Sequence, residues 1–105
     1  LYLNLGGGRF RRAHEALPVE AASGSRVVAA DYDGDGDQDL FVGGRVTPFA
    51  YGVPPRSLLL RNDGRGRFVD VADSLAPALA GVGMVTDAAW RDVDGDRRAD
   101  LVVVG

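Results

Sequence analysis

The sequence predicts an all-β fold built from repeated four-stranded antiparallel units, and three observations predict it. An acidic run, Asp31-Tyr32-Asp33-Gly34-Asp35-Gly36-Asp37-Gln38-Asp39, returns further along the chain as Asp92-Val93-Asp94-Gly95-Asp96-Arg97-Arg98-Ala99-Asp100. A Gly-rich turn, Asn4-Leu5-Gly6-Gly7-Gly8-Arg9-Phe10, returns at a closely similar spacing as Asn62-Asp63-Gly64-Arg65-Gly66-Arg67-Phe68. Between these landmarks lie short apolar, partly β-branched runs bounded by turn residues, which read as strands. The order within a unit is constant: turn, intervening segment, acidic loop. A unit of about 60 residues used more than once marks a repeat architecture.

The elements follow in order. Leu1 to Leu5 and the segment opening at Arg9-Phe10 flank Gly6-Gly7-Gly8. No helix follows these glycines, so they make a hairpin turn and not a dinucleotide loop. Arg26-Val27-Val28-Ala29-Ala30 enters the first acidic loop, and Leu40-Phe41-Val42 leaves it and ends at Gly43-Gly44. Val46 to Arg56 holds Pro48, Pro54 and Pro55 around Phe49 and Tyr51, and reads as an ordered loop on one face. Ser57 to Leu60 is a third strand, Asn62-Asp63-Gly64 a hairpin turn and Phe68 to Val71 a fourth strand. Ser74 to Gly83 reads as a short helical turn or a link. Four short strands per unit, arranged radially, make a β-propeller. Residues 1–24 are then the last two strands of one blade plus a link. Residues 25–72 are a complete blade with the loop 31–39. Residues 73–105 are a link and the first two strands of the next blade, with the loop 92–100. Without an initiator Met, and stopping inside Leu101-Val102-Val103-Val104-Gly105, the chain reads as a stretch of a longer repeat protein.

Composition supports a folded, turn-rich chain. Apolar residues make up 46% of 105, which argues against disorder, and the 15 glycines suit many turns. The net charge of −3 is a local property: the two loops hold nine of the fifteen acids. All twelve basic residues are arginine, scattered without a basic stripe or interleaved stacking aromatics, so nucleic acid is not an expected partner. Absence of cysteine excludes disulfides and thiolate metal sites. No apolar run approaches the roughly 18 residues of a membrane span.

Five like charges in one short run repel strongly unless solvated or neutralised by a cation. Carboxylate oxygens at alternating positions of a tight, Gly-containing loop suit Ca²⁺, which takes six to eight oxygen ligands, better than Mg²⁺, which keeps several waters. Two bound Ca²⁺ would bring the formal charge from −3 to +1. An EF-hand would require a bidentate Glu at the twelfth loop position and flanking helices. Here that position is Val42 and the flanks are β-rich. With ligands drawn from one short hairpin loop, little room remains for an open catalytic position, so the ion is expected to be structural.

The pattern Asp-x-Asp-Gly-Asp-Gly-x-x-Asp-Leu-x-Val, from Asp31 to Val42, joined to the Leu59-to-Phe68 turn segment, resembles the FG-GAP/VCBS repeat of integrin α-subunit propellers and of many exported bacterial proteins. Leu40 to Val46, Pro54 to Ser57 and Val82 to Ala88 look like the bacterial ASPIC/UnbV (cartilage-acidic-protein-like) branch. The resemblance implies Ca²⁺ ligation by the side chains of Asp31, Asp33, Asp35 and Asp39 with the carbonyl of Asp37. In the second loop it implies the side chains of Asp92, Asp94, Asp96 and Asp100 with the carbonyl of Arg98. Gly36 meets the family's glycine at the sixth position, where the second loop has Arg97. A non-Gly residue at φ > 0 costs on the order of 1 kcal/mol. With two arginines near the cation as well, the second site is expected to be the weaker.

Enzymatic signatures are missing. There is no Gly-x-Ser-x-Gly, no Walker loop, and no second histidine to make a zinc site with His14-Glu15, so His14 reads as a polar strand-edge residue. Trp90 reads as a packing residue, while Tyr32 at the second loop position could point outward. Phe49-Ala50-Tyr51 is the best candidate for partner contact. Asn62 is not in a glycosylation triplet, because Gly64 holds the third position. The function expected is a calcium-stabilised, non-catalytic scaffold of an exported protein, extracellular, periplasmic or at the cell surface, that binds protein or glycan. The alternative is an accessory propeller domain of a larger secreted enzyme, such as a carbohydrate-active one. Neighbouring blades are the other expected partners. Alone, the chain is expected to be marginal or to associate through unpaired strand edges.

Overall fold

The computed structural model describes residues 1–19 and 23–105. Residues 20–22 of the expected link within 1–24 lie outside that description. The described chain is all-β, with antiparallel sheets and two short helical turns. Strands β1 (Tyr2–Gly6) and β2 (Arg9–Arg12) form one two-stranded sheet. Strands β3 (Ser23–Ala30), β4 (Asp39–Val46), β5 (Leu58–Asn62) and β6 (Phe68–Asp70) form a four-stranded sheet in sequential order. Strands β7 (Asp87–Arg91) and β8 (Asp100–Val104) form a second two-stranded sheet.

Two strands are longer than their apolar runs suggest. β4 continues through Gly43-Gly44 to Val46, and β3 starts at Ser23. The extension is irregular, with register shifts between Ser23 and Arg26 opposite the two glycines. Packing explains the glycines. A Cβ on Gly43 would come within 2.6 Å of Val85 Cγ1, and one on Gly44 would overlap the Arg56 carbonyl. The close approach lets Gly44 accept the Val85 N–H at 2.8 Å and donate to the buried Ser57 Oγ at 3.0 Å. β6 stops at Asp70, because Val71 opens the helical turn α1 (Ala72–Leu75). A 3₁₀ turn over Pro77–Gly81 follows, filling the segment that reads as a helical turn or link.

The core lies between the four-stranded sheet and the β7–β8 sheet. Phe41, Val85 and Ala88 are its buried centre, with Val28, Leu79, Trp90, Leu101 and Val103 packed around it. Trp90 is therefore a packing residue, and its indole Nε1 donates to the Val28 carbonyl at 3.3 Å across the two sheets. On β5, Leu58, Leu59 and Leu60 are all buried, as expected of a strand covered on both faces. His14 sits in the turn after β2 and not on a strand edge.

Candidate metal centre

Each acidic run connects two antiparallel strands, β3 to β4 and β7 to β8, so each strand pair aims its loop the same way. Within the first loop, backbone N–H groups fold around side-chain oxygens. Asp31 Oδ1 accepts from Gly34 at 2.7 Å and Asp35 at 3.1 Å, and its Oδ2 accepts from Gly36 at 2.9 Å. Asp33 Oδ1 accepts from Asp35 at 3.3 Å, and Asp35 Oδ1 from Asp37 at 3.1 Å. The second loop repeats the scheme. Asp92 takes Gly95 and Arg97 N–H groups at 2.7 and 2.9 Å, Asp94 takes Asp96 at 3.0 Å, and Asp96 takes Arg98 at 2.9 Å. Short carboxylate side chains turning their own backbone are what Asp supplies best.

This wrapping brings three carboxylates of each loop together. One oxygen each from Asp31, Asp33 and Asp39 lies within 4.8 Å of the others, and Asp92, Asp94 and Asp100 form the same group. Asp35 and Asp96 lie outside these triads and serve the backbone of their own loops. Arg98 Nε stands 3.8 Å from Asp96 Oδ2, an exposed pair of little energetic weight. The sixth loop position has positive φ in both loops, +95° at Gly36 and +71° at Arg97.

Asp39 is fully buried at the mouth of β4. Its Oδ1 accepts the Asn62 N–H at 2.8 Å and its Oδ2 the Tyr32 N–H at 3.4 Å. Burial pushes its carboxyl above the ordinary value, against the pull of those two N–H groups. Asp37 is raised too, by burial of its carboxyl and then by the charges of Asp35, Asp39, Asp33 and Asp31. Its Oδ1 is buried without a hydrogen-bond partner. Converging like charges and an unpartnered buried oxygen are an electrostatic arrangement that a cation relieves, and an all-oxygen donor set suits a hard divalent ion.

Two contacts at the site had weak signals in the sequence. Tyr32 turns inward onto Trp90, with ring centroids 5.9 Å apart and planes at 11°, so the first loop stacks on the strand that feeds the second. Burial, followed by the charges of Asp39 and Asp33, raises the Tyr32 phenol. Asn62 joins the two sequence landmarks. Its N–H reaches Asp39, its Nδ2 donates to the Gln38 carbonyl at 3.0 Å, and its Oδ1 accepts Gly64 and Gly66 N–H groups at 3.2 and 3.0 Å. The turn therefore docks on the acidic loop of its own sheet, which explains why both landmarks recur together.

Residues 1–42 match the family model of the FG-GAP-like repeat. The matched stretch contains the first Gly-rich turn and the whole first acidic loop, and it ends within β4. The second acidic loop lies beyond it and repeats its hydrogen-bond scheme. No curated protein and no solved structure matches the chain.

Proposed function

We propose that this chain is a calcium-binding segment of a β-propeller in an exported protein, and that it acts as a rigid, non-catalytic scaffold for a protein or glycan partner. One observation carries the reading: two carboxylate triads, one in each repeat of the acidic run, lie in loops with closely matching internal backbone hydrogen bonds at the same end of equivalent strand pairs. The FG-GAP-like match over residues 1–42 supports the propeller setting and an extracellular one. Leu40 to Val46, Pro54 to Ser57 and Val82 to Ala88 support the ASPIC/UnbV branch. When bound, Ca²⁺ would neutralise each triad and leave the loop without its internal repulsion. Asp31, Asp33 and Asp39 would hold the first ion, with Asp35 and the Asp37 carbonyl completing its shell. Asp92, Asp94, Asp96, Asp100 and the Arg98 carbonyl would hold the second. An extracellular setting, rich in calcium, would suit such a loop.

The scaffold presents the loop between β4 and β5 to a partner. Phe49 and Tyr51 are fully exposed there, beside an apolar cavity of about 370 Å³ that Val46, Val53, Pro54 and Met84 help to line. Among the described residues no helix is long and apolar enough to cross a membrane. Thermal unfolding in calcium and in EDTA tests the reading. At calcium one hundredfold above the dissociation constant, a single site adds about 2.7 kcal/mol. An unchanged melting temperature contradicts it.

A further inference from the structure

The chain's only tryptophan, Trp90, stands on β7 two residues before the second acidic loop, yet its ring partner Tyr32 belongs to the first. The two rings lie nearly parallel with centroids 5.9 Å apart. Trp90 is tied to both loops through the backbone. Its indole Nε1 donates to the carbonyl of Val28 at 3.3 Å, on the strand β3 that enters the first loop. In the β7–β8 ladder it stands opposite Leu101, and its neighbour Arg91 stands opposite Asp100. Tyr32, Trp90, Ala99 and Leu101 line one common cavity, so the Tyr32 ring borders the residues on either side of Asp100.

The two repeats do not share this contact. The pair Trp90↔Leu101 repeats Ala29↔Leu40, which makes Ala29 the counterpart of Trp90, and Val93 stands in the second loop where Tyr32 stands in the first. The loop bond at this position does not need the ring. The Val93 N–H donates to Asp100 Oδ2 at 2.9 Å, as the Tyr32 N–H donates to Asp39 Oδ2 at 3.4 Å. The phenol hydroxyl does not serve the loop either, since its oxygen is buried without a hydrogen-bond partner. What remains for the Tyr32 side chain is its contact with Trp90.

Tyr32 lies between Asp31 and Asp33, two carboxylates of the first triad. Their mutual repulsion works against the closed loop, and a cation that draws them together fixes the backbone that carries the ring. We propose that Trp90 is a positioning residue for the first calcium loop, and that through the Tyr32 stack an ion in either loop strengthens binding in the other. The proposal rests on the calcium reading of both loops. Each ion favours the stacked arrangement. The first fixes Tyr32, and the second pins Asp92 to Asp100 at the end of the strand that carries Trp90. Ligands that favour the same state of a shared element bind cooperatively, and the effect is equal in both directions.

Calorimetric titration of the 105-residue chain with calcium tests it, beside Asp33→Ala, in which the first loop is disabled. Affinity at the second loop is expected to fall about fivefold in Asp33→Ala, the lower end of the usual coupling between sites. Tyr32→Val, which matches Val93 of the second loop, should abolish this dependence on the first loop. Tyr32→Phe keeps the ring and should retain it. Trp90 fluorescence gives a second readout. With the second loop disabled by Asp94→Ala, calcium should change the Trp90 emission through the first loop alone, and adding Tyr32→Val should remove that change. Equal affinity at the second loop in the unchanged chain and in Asp33→Ala overturns the proposal while the calcium reading stands, and that comparison needs no change at Tyr32. Coupling that persists in Tyr32→Val also overturns it. Absence of calcium binding at both loops overturns the calcium reading and the coupling together.

Discussion

Asp39 is where the acidic loop, the strand it feeds and the next hairpin meet, through its bonds to the Tyr32 and Asn62 N–H groups. Replacing it by Ala leaves the Asn62 N–H without its acceptor. Unsatisfied buried polar groups cost about 1–3 kcal/mol. Asp39→Ala is therefore expected to lower stability by that amount even in EDTA, where metal plays no part, as read by urea unfolding. Asp33→Ala, whose carboxylate is exposed, should leave stability in EDTA nearly unchanged. The sixth loop position gives a second residue-scale test. Arg97 holds a left-handed backbone that Gly36 adopts freely in the other loop, and strain there costs on the order of 1 kcal/mol. Arg97→Gly removes the strain together with a positive charge. Urea unfolding in EDTA should show the relieved strain as about 1 kcal/mol of added stability, and calorimetric titration should show tighter calcium binding at the second loop once the positive charge is gone.

At the scale of elements, the junction between the sheets depends on β4 having no side chain where Val85 and Arg56 press against it. Gly44→Ala places a methyl group into the Arg56 carbonyl, and overpacking of this kind costs about 1–3 kcal/mol. A lower urea midpoint with an unchanged slope would verify it. Strand positions were legible in the sequence because the apolar runs are short and the hairpin turns at 6–8, 31–39, 62–67 and 92–100 are marked by Gly, Asn or Asp. The irregular extension of β3 and β4 was not, since Gly43-Gly44 reads as an ending. Only the third partner, the Val85 segment, shows the glycines to be a close-packing device. That the acidic runs form loops between paired strands was legible, because alternating Asp and Gly interrupt the apolar runs on either side. That three carboxylates of each loop converge while Asp35 and Asp96 bond the backbone of their own loops was not, since spacing alone does not fix where each side chain turns. Tyr32 and Asn62 were opaque because their roles depend on partners far off in the chain, Trp90 for the one and Asp39 for the other.

For the whole molecule, the raised carboxyls of Asp37 and Asp39 set a pH dependence. Their folded-state values lie above the ordinary 3.8, so the folded chain holds those protons more tightly than the unfolded one. Their contribution to stability in EDTA is then expected to be greatest below the ordinary value and to fall as pH rises through the raised one, while Asp63, held low first by the Arg65 N–H, contributes with the opposite sign. Calcium needs the same carboxylates ionised, so its stabilisation should grow over that same rise. Melting curves from acid to neutral pH, with and without calcium, should therefore diverge as pH increases. The central claim concerns the two loops together, and calorimetric titration of the chain with calcium tests it most directly, beside Asp33→Ala and Asp94→Ala, with circular dichroism before and after EDTA. The account predicts two sites, the stronger lost in Asp33→Ala and the weaker lost in Asp94→Ala, and β structure that diminishes on chelation. No heat of binding, with spectra unchanged by EDTA, would mean that both acidic runs are solvated turns and would contradict it.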